Sequence, residues 1–359
     1  MSKIKAKIVV GLGYGDEGKG LTVNELCKKA ENPIVVRFSA GQQCGHTVHM
    51  GDIKHIFSNF GSGTLQNVPT YFTEHTCFYP VTILREKKVL ESKGIKEPIL
   101  VIHPMAKMTT PYDVYANRNC DDNLSHGTCG LGIGKTEKRH RDNYTLHAID
   151  LMHRSIFEAK MASIKEYYDM KTEPTWFEQE MQDFEEAIDL MEDTIGIAGY
   201  DFLTDFKTLV FEGSQGILLD KDHGVFPNVT YSNTTSKNAM EVCDILKIKK
   251  RKVYCVTRAY STRHGNGIYV EEPIALKDAH HETNETNEYQ GVFKTANLDH
   301  GLVAYAHQIE NLYSSGYNYT LVVTCANQVE EEFDPMLLET NWDDLKMSYS
   351  VYGEFKNHY

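Results

Sequence analysis

Residues 13–20 read Gly-Tyr-Gly-Asp-Glu-Gly-Lys-Gly, directly after a short apolar run and before an amphipathic one. This fits the GxxxxGK spacing of a phosphate-binding loop set between a strand and a helix. Glycines let backbone N–H groups approach phosphate oxygens, the helix N-terminus adds its dipole, and Lys19 adds a point charge. A plain Gly-rich turn would explain the glycines alone. Lys19 at the right offset favours nucleotide binding, with Gly15, Asp16, Glu17, Gly18, Lys19 and Gly20 as contacts. Gly20 stands where Ser or Thr usually binds Mg²⁺, so another oxygen has to hold the metal. Asp16 is the candidate, because a hard carboxylate beside a triphosphate suits Mg²⁺.

Three further stretches follow other strand-like runs. Gly41-Gln-Gln-Cys-Gly-His-Thr47 places His46 for acid or hydrogen-bond work at a phosphoryl oxygen, with Gln43, Gly45 and Thr47 around it. Alone, such a histidine is more often structural. The stretch from Glu212 to Thr235 carries Gln215 and Thr230 among many small polar residues, which suit a sugar phosphate or base. A run of turns and an N-cap for a helix starting near Ser236 explains the same residues. The fourth stretch, Ser125 to Lys135, spaces glycines like a second phosphate cradle and carries Thr128 and Cys129.

The elements that position these stretches are legible as β-branched runs. Lys7–Gly11, Ile34–Phe38, Ile99–Ile102, Leu209–Phe211, Val253–Val256 and Thr320–Thr324 alternate with helical patterns such as Leu21–Lys29. Near-continuous apolar strands between helices predict an α/β fold with a mostly parallel sheet covered on both faces. Residues 148–200 read as two or three helices forming a subdomain on that sheet, with Pro174 between them. No repeat or linker is evident, so residues 1–359 are expected to form one elaborated domain.

Composition narrows the class. The 359 residues carry 37 Lys+Arg and 50 Asp+Glu, a formal net charge of −13, which argues against wrapping nucleic acid or anionic membrane. Hydrophobic residues at 41% and charged residues at 24% exclude a disordered or fibrous chain. The eight cysteines show no CxxC pair and the sixteen histidines no HExxH, so neither a disulfide scaffold nor a zinc site is expected. The opening MSKIKAKIVVGLG lacks signal-peptide features and no apolar stretch is long enough for a membrane helix, which predicts a soluble cytoplasmic protein.

In order, GDEGKG, GHT, GTxGxGIG, EGxQGxLLDxDHG, PxVTxSNTT and the AYSTRxGxG of residues 259–267 resemble adenylosuccinate synthetase. The resemblance spans most of Lys7 to Gly267. It implies a homodimer that phosphorylates the 6-oxygen of a purine nucleoside monophosphate from a nucleoside triphosphate, with Mg²⁺. The amino group of L-aspartate then displaces the phosphate. A carbonyl oxygen leaves poorly until phosphorylated, so such a site needs a base for N1–H and an acid near O6. By position, Asp16 resembles the base on N1 and a metal ligand, and the Gly45 carbonyl a second ligand. His46 resembles the acid, and Lys19 and Gln215 complete the catalytic set. Thr128 or Cys129, with Thr230, would hold the acceptor 5′-phosphate, and Arg263 belongs to the nucleotide site.

Four departures bear on specificity. Gln43 replaces the usual Asn near the acceptor phosphate. Asn143 takes the place of an arginine donated across the dimer, with Arg139 and Arg141 close enough to substitute. The arginine-rich aspartate loop becomes Gln290-Gly291-Val-Phe-Lys294, which loses a bidentate carboxylate clamp. The guanine-reading carboxylate of the GTP site becomes Asn327, whose amide does not demand two donors. The chain also lacks the longer C-terminal segment of typical bacterial members. Together these resemble the phage branch of the family, the 2-aminoadenylosuccinate synthetases, implying dGMP as acceptor and ATP or dATP as donor. Ser39 and Ser232 lie on loops that could supply an oxygen to the guanine 2-amino group. Asp16 is instead the ordinary form, so IMP with GTP is the alternative. A nucleotide-sensing switch is the alternative from another class, but it would normally keep Ser or Thr after the lysine.

Overall fold

Valine and isoleucine on both faces of a strand require cover on both sides, and the sheet provides it. A computed structural model describes residues 4–119, 130–265, 267–269, 274–277, 292–329, 342–349 and 355–358. The first part comprises β1 (Lys5–Gly11), α1 (Lys19–Lys28), β2 (Pro33–Arg37), the hairpin β3 (His46–Met50) and β4 (Ile53–Phe57), and β5 (Thr70–Phe72). There follow β6 (Cys77–Phe78), α2 (Pro80–Ser92), β7 (Leu100–Ile102), β8 (Lys107–Met108), α3 (Pro111–Arg118) and α4 (Ile133–Arg141). Then come α5 (Arg154–Tyr168), α6 (Phe177–Thr194), β9 (Gly196–Ile197), β10 (Thr208–Glu212) and α7 (Lys237–Ile245). The last part holds β11 (Lys250–Arg258), the hairpin β12 (Ser261–His264) and β13 (Phe293–Ala296), α8 (His300–Ser314), β14 (Asn318–Thr324), β15 (Asp344–Ser348) and β16 (Phe355–His358).

Ten strands form one sheet in the order β16-β15-β14-β11-β1-β10-β2-β5-β7-β9, parallel except where β16 pairs antiparallel with β15. Along β1 the side chains alternate. Ile8 and Val10 pack with Ile34, Val36, Phe211 and the inner faces of α7 and α8, while Val9 packs with Val35, Val210 and α1. A fully buried aliphatic side chain contributes about 1.5–3 kcal/mol. That outweighs the poor helix-forming residues of α1, which opens on Lys19-Gly20 without a side-chain cap.

Residues 148–200 contain a 3₁₀ turn (Ala148–Met152), α5 and α6, with Pro174 ahead of α6. These helices pack at one edge of the sheet. Phe157, Phe184, Ile188 and Met191 join a separate core with α2, α3 and the edge residues Phe72, Leu100 and Ile102. Tyr79 donates to Glu180 (2.6 Å) and Tyr168 to Asp113 (2.7 Å) across that junction. Among the described residues no helix is long and apolar enough to cross a membrane.

Candidate active site

Five neighbouring strands, β14, β11, β1, β10 and β2, all point their carboxyl ends the same way, where open parallel sheets take their ligands. The loop after β1 turns through left-handed glycines, Gly15 at φ 130° and Gly18 at φ 90°. Its amides do not wait for a ligand alone. Glu17 folds inward and accepts from the N–H of Gly13 (3.0 Å) and Gly15 (2.7 Å), and Lys19 Nζ donates to Glu17 Oε2 (2.7 Å) and to the Gly15 carbonyl (2.6 Å). Both side chains are buried. The structure therefore corrects two expectations. Lys19 does not project as a phosphate-facing charge, and Glu17 is an internal brace, because loop amides without a helix or sheet partner need an acceptor. The first amides of α1 have no side-chain cap and remain the donors suited to an anion.

Asp16 is 24% exposed at the loop's mouth. Arg258 donates from Nε to its carbonyl, and Oδ2 lies 3.3 Å from His264 Nε2. Loss of water raises the Asp16 pKa, opposed by Arg258 and His264. His46, on β3, is buried with Nε2 lacking a partner. Its Nδ1 is 3.7 Å from Glu212 Oε1, too far for a hydrogen bond. Burial, then the charges of Arg37 and Lys19, hold its pKa well below 6.5. The expected acid is thus a neutral imidazole in the free protein, able to donate a hydrogen bond but with no extra proton to give. Glu212 and Arg37 face each other in register on β10 and β2, and Glu212 also takes the N–H (3.1 Å) and hydroxyl of Ser62. A Cβ on Gly20 would meet His46 Cβ and Ser62 Oγ at 2.8 Å, so the missing P-loop hydroxyl has a steric cause.

Gln215 (φ 53°) packs its backbone against Gly15, and its buried Oε1 has no partner. Gln43 and Thr47 are half-buried and Gly45 is exposed on the segment leading into β3. Thr230 is half-buried, its N–H donating to the Leu219 carbonyl (2.8 Å). Thr324 donates to the Glu17 carbonyl (2.7 Å), which brings the turn bearing Asn327 against the phosphate loop. Arg263 lies over the Tyr14 ring (4.2 Å) and donates to the Ile268 carbonyl (2.8 Å), so one of its amino groups is spent within the protein. Lys294 donates to the Gly265 carbonyl (3.1 Å).

Arg139 is fully buried, paired with Asp113 (2.9 Å) and donating to the Met108 (2.8 Å) and Tyr144 (2.5 Å) carbonyls. This removes it as a group reaching across a dimer. Arg141 is exposed, 5.9 Å from the Tyr231 ring. Thr128, Cys129, Gln290 and Gly291 lie outside the described residues.

Sequence reasoning missed His264, although a histidine inside a motif of Gly, Ser, Thr and Arg at a strand end was a usable signal. It also missed Arg37 and Glu212, register neighbours on β2 and β10 that lie beside His46. Among the described residues no group of three or more His, Cys, Asp or Glu side chains is placed to hold a metal ion. Asp16 and the exposed Gly45 carbonyl are oxygen donors of the kind Mg²⁺ accepts when phosphate and water complete its shell. The arrangement can bind a phosphorylated ligand, offer polar atoms to a flat base and take up a proton at Asp16.

The adenylosuccinate synthetase family model matches residues 8–318. The adenylosuccinate synthetase of Clostridium botulinum (strain Alaska E43 / Type E3) is 32% identical over 288 residues, covering 76% of this chain and 66% of that protein. That of Mesoplasma florum is 30% identical over 286 residues, again with 76% and 66% covered. The chain thus spans about two thirds of the length of these curated relatives. In structure it resembles the fully ligated adenylosuccinate synthetase of Plasmodium falciparum, at TM-score 0.72 and 17% identity, covering 99% of this chain and 87% of that one. It also resembles the cyanophage S-2L succinoaminodeoxyadenylate synthetase bound to dGMP and to dATP as energy donor. There the TM-score is 0.72, identity 15%, and coverage 99% and 95%.

Proposed function

Because the chain belongs to the adenylosuccinate synthetase family, we propose that it is a carbon–nitrogen ligase condensing L-aspartate with the 6-oxo group of a purine nucleotide. The acceptor is dGMP, the product N6-succino-2-amino-2′-deoxyadenylate, and the donor ATP or dATP. The observation that carries this reading is a set of buried polar atoms without protein partners around one phosphate loop: His46 Nε2, Gln215 Oε1, His264 Nδ1 and Arg263 Nε. Groups left unpaired inside a protein cost free energy that a bound nucleotide recovers.

Asp16 takes the N1 proton, and the loss of water that raises its pKa favours that uptake. That proton's loss puts electron density on O6 for attack on the γ-phosphoryl group. His46, kept neutral, donates a hydrogen bond to the transferring oxygens. Gln215 orients the base, and Gln43, Thr47 and Thr230, with Thr128 or Cys129, hold the acceptor phosphate. Asp16 and the Gly45 carbonyl would hold Mg²⁺, which neutralises triphosphate charge when bound. Gln290, Gly291 and Lys294 receive aspartate, with weaker carboxylate binding than an arginine fork gives. The protein works as a cytoplasmic homodimer in which Arg141 reaches the partner's phosphate.

A second reading, IMP with GTP, is favoured by the relatives at 30–32% identity, which are adenylosuccinate synthetases. Incubation with ATP, Mg²⁺ and aspartate against IMP, dIMP, GMP and dGMP, with products weighed by mass spectrometry, separates the readings. The succinylated dGMP product should dominate. Equal or greater kcat/KM for IMP returns the protein to ordinary AMP synthesis. Triphosphate hydrolysis that needs neither aspartate nor a 6-oxopurine would indicate a switch.

A further inference from the structure

Side chains from two other strands hold the phosphate loop by its main chain. At the end of β11, Arg258 Nε donates to the Asp16 carbonyl, and its Nη1 donates to the Tyr260 hydroxyl (2.7 Å). At the end of β14, the Thr324 hydroxyl donates to the Glu17 carbonyl (2.7 Å). Thr324 is itself fixed: it is fully buried, and its carbonyl accepts from the Ala259 N–H (3.0 Å). The loop lies directly against it, since a Cβ on Gly18 would meet Thr324 Cγ2 and Oγ1 at 3.0 Å. We infer that Arg258 and Thr324 are positioning residues that turn the Glu17 and Gly18 N–H groups towards the phosphates of the bound triphosphate.

The inference rests on the reading that this loop binds the triphosphate. A peptide unit is planar and trans, so the N–H of one residue points opposite to the carbonyl of the residue before it. With the Asp16 carbonyl turned to Arg258, the Glu17 N–H points the other way. The Glu17 carbonyl, turned to Thr324, does the same for the Gly18 N–H. In the sheet, β11 and β14 lie on one side of β1, and β10 and β2 on the other. Both N–H groups therefore face the side on which Gln215 packs against Gly15 and His46 lies beside Gly20. Neither finds an acceptor among the described residues. Gly18 is the N-cap of α1, so its N–H adds to the uncapped amides of the first turn in attracting an anion. Lys19 is drawn back onto Glu17 and the Gly15 carbonyl, which leaves the backbone to meet phosphate.

Dissociation constants for ATP and GTP, each with Mg²⁺, and for dGMP and IMP are measured by calorimetry on the native protein, Thr324→Val and Thr324→Ser. Valine keeps the shape of threonine but loses the hydroxyl, which frees the Glu17 carbonyl to turn. Thr324→Val should weaken ATP and GTP by the same factor, about tenfold, the size of one hydrogen bond. Binding of the two monophosphates should not change. Thr324→Ser, which keeps the hydroxyl, should bind all four like the native protein. Should the valine variant melt early, Arg258→Met against Arg258→Gln repeats the comparison at the other anchor. Both lose the charge beside Asp16, and only glutamine keeps an N–H for its carbonyl, so it should bind ATP about tenfold more tightly than methionine. A loss that differs between ATP and GTP traces to the base-reading turn after Thr324, and a loss shared by the monophosphates traces to general loosening. Either result overturns the inference, as does no loss at all. The reading of the loop is judged separately on the native protein: if it binds neither triphosphate, that reading falls and takes the inference with it.

Discussion

A histidine buried beside two cations stays neutral, and His46 shares its surroundings with Arg37 and Lys19. Its contribution to phosphoryl transfer is then one N–H placed where charge develops, the kind of group whose loss costs about 10²–10³-fold in kcat. His46→Ala should show that loss in steady-state phosphate release, with acceptor KM and melting temperature nearly unchanged. A kcat equal to the native value would leave His46 a structural residue. Asn327 poses a question of donor identity. Its amide can turn to serve adenine or guanine, whereas a carboxylate there prefers guanine's N1–H and 2-amino donors. Asn327→Asp should therefore raise the GTP-to-ATP ratio of kcat/KM by a factor corresponding to about 1.5–3 kcal/mol. Strict GTP dependence in the native protein would place base recognition elsewhere.

Helices α1 and α8 each end against a buried polar contact with consequences for stability. At the start of α1 the backbone passes so close to β3 that a Cβ on Gly20 would clash with His46 and Ser62. Gly20→Ser, which restores the P-loop sequence, should cost about 1–3 kcal/mol in urea unfolding rather than add a metal ligand. Undiminished stability would mean that β3 yields at little cost. In α8, Glu310 is fully buried and accepts from the Ser236 N–H (2.8 Å) ahead of α7 and from the Ser314 hydroxyl (2.7 Å). Burial pushes its pKa from 4.5 up to about 6. The folded protein thus keeps a proton that the unfolded chain releases, and stability falls as pH rises through this interval. The loss is about 2 kcal/mol from about 1.4 kcal/mol per pKa unit. Glu310→Gln keeps an acceptor for Ser236 and a donor for Ser314 but cannot ionise. Its unfolding free energy should match the native protein's near pH 4.5 and exceed it by about 2 kcal/mol at pH 7.5. Parallel pH profiles for the two proteins would show that Glu310 stays charged in the fold.

The whole sheet gathers one site from five strand ends, and the proposed dimer would add a sixth contributor. Arg141, exposed at the end of α4, is the side chain left for that task once Arg139 is sealed against Asp113. Arg141→Ala and Asp16→Ala should each be slow alone. Mixed in equal amounts and allowed to exchange subunits, they should recover about a quarter of native activity, because half the dimers are mixed and each carries one intact site. No gain on mixing would confine Arg141 to its own subunit or remove it from the reaction.

Six strands of the central sheet and the phosphate loop were legible in the amino-acid sequence because both are local, whereas β5, β9, β15 and β16 were not. A run such as Lys7–Gly11 needs both faces buried wherever it sits, and glycines with Lys19 make a strand-to-helix turn from neighbouring residues alone. The family resemblance was legible for a related reason, since its motifs are short and keep their order along the chain. Three outcomes were decided only by contacts between distant segments. Glu17 turned inward because the loop's own amides were its nearest donors. Arg139 was lost to a dimer role because Asp113, on another helix, neutralises it. His264 reached Asp16 because the β12–β13 hairpin folds back over the mouth of the first loop, a meeting of residues 16 and 264 that no spacing along the chain records.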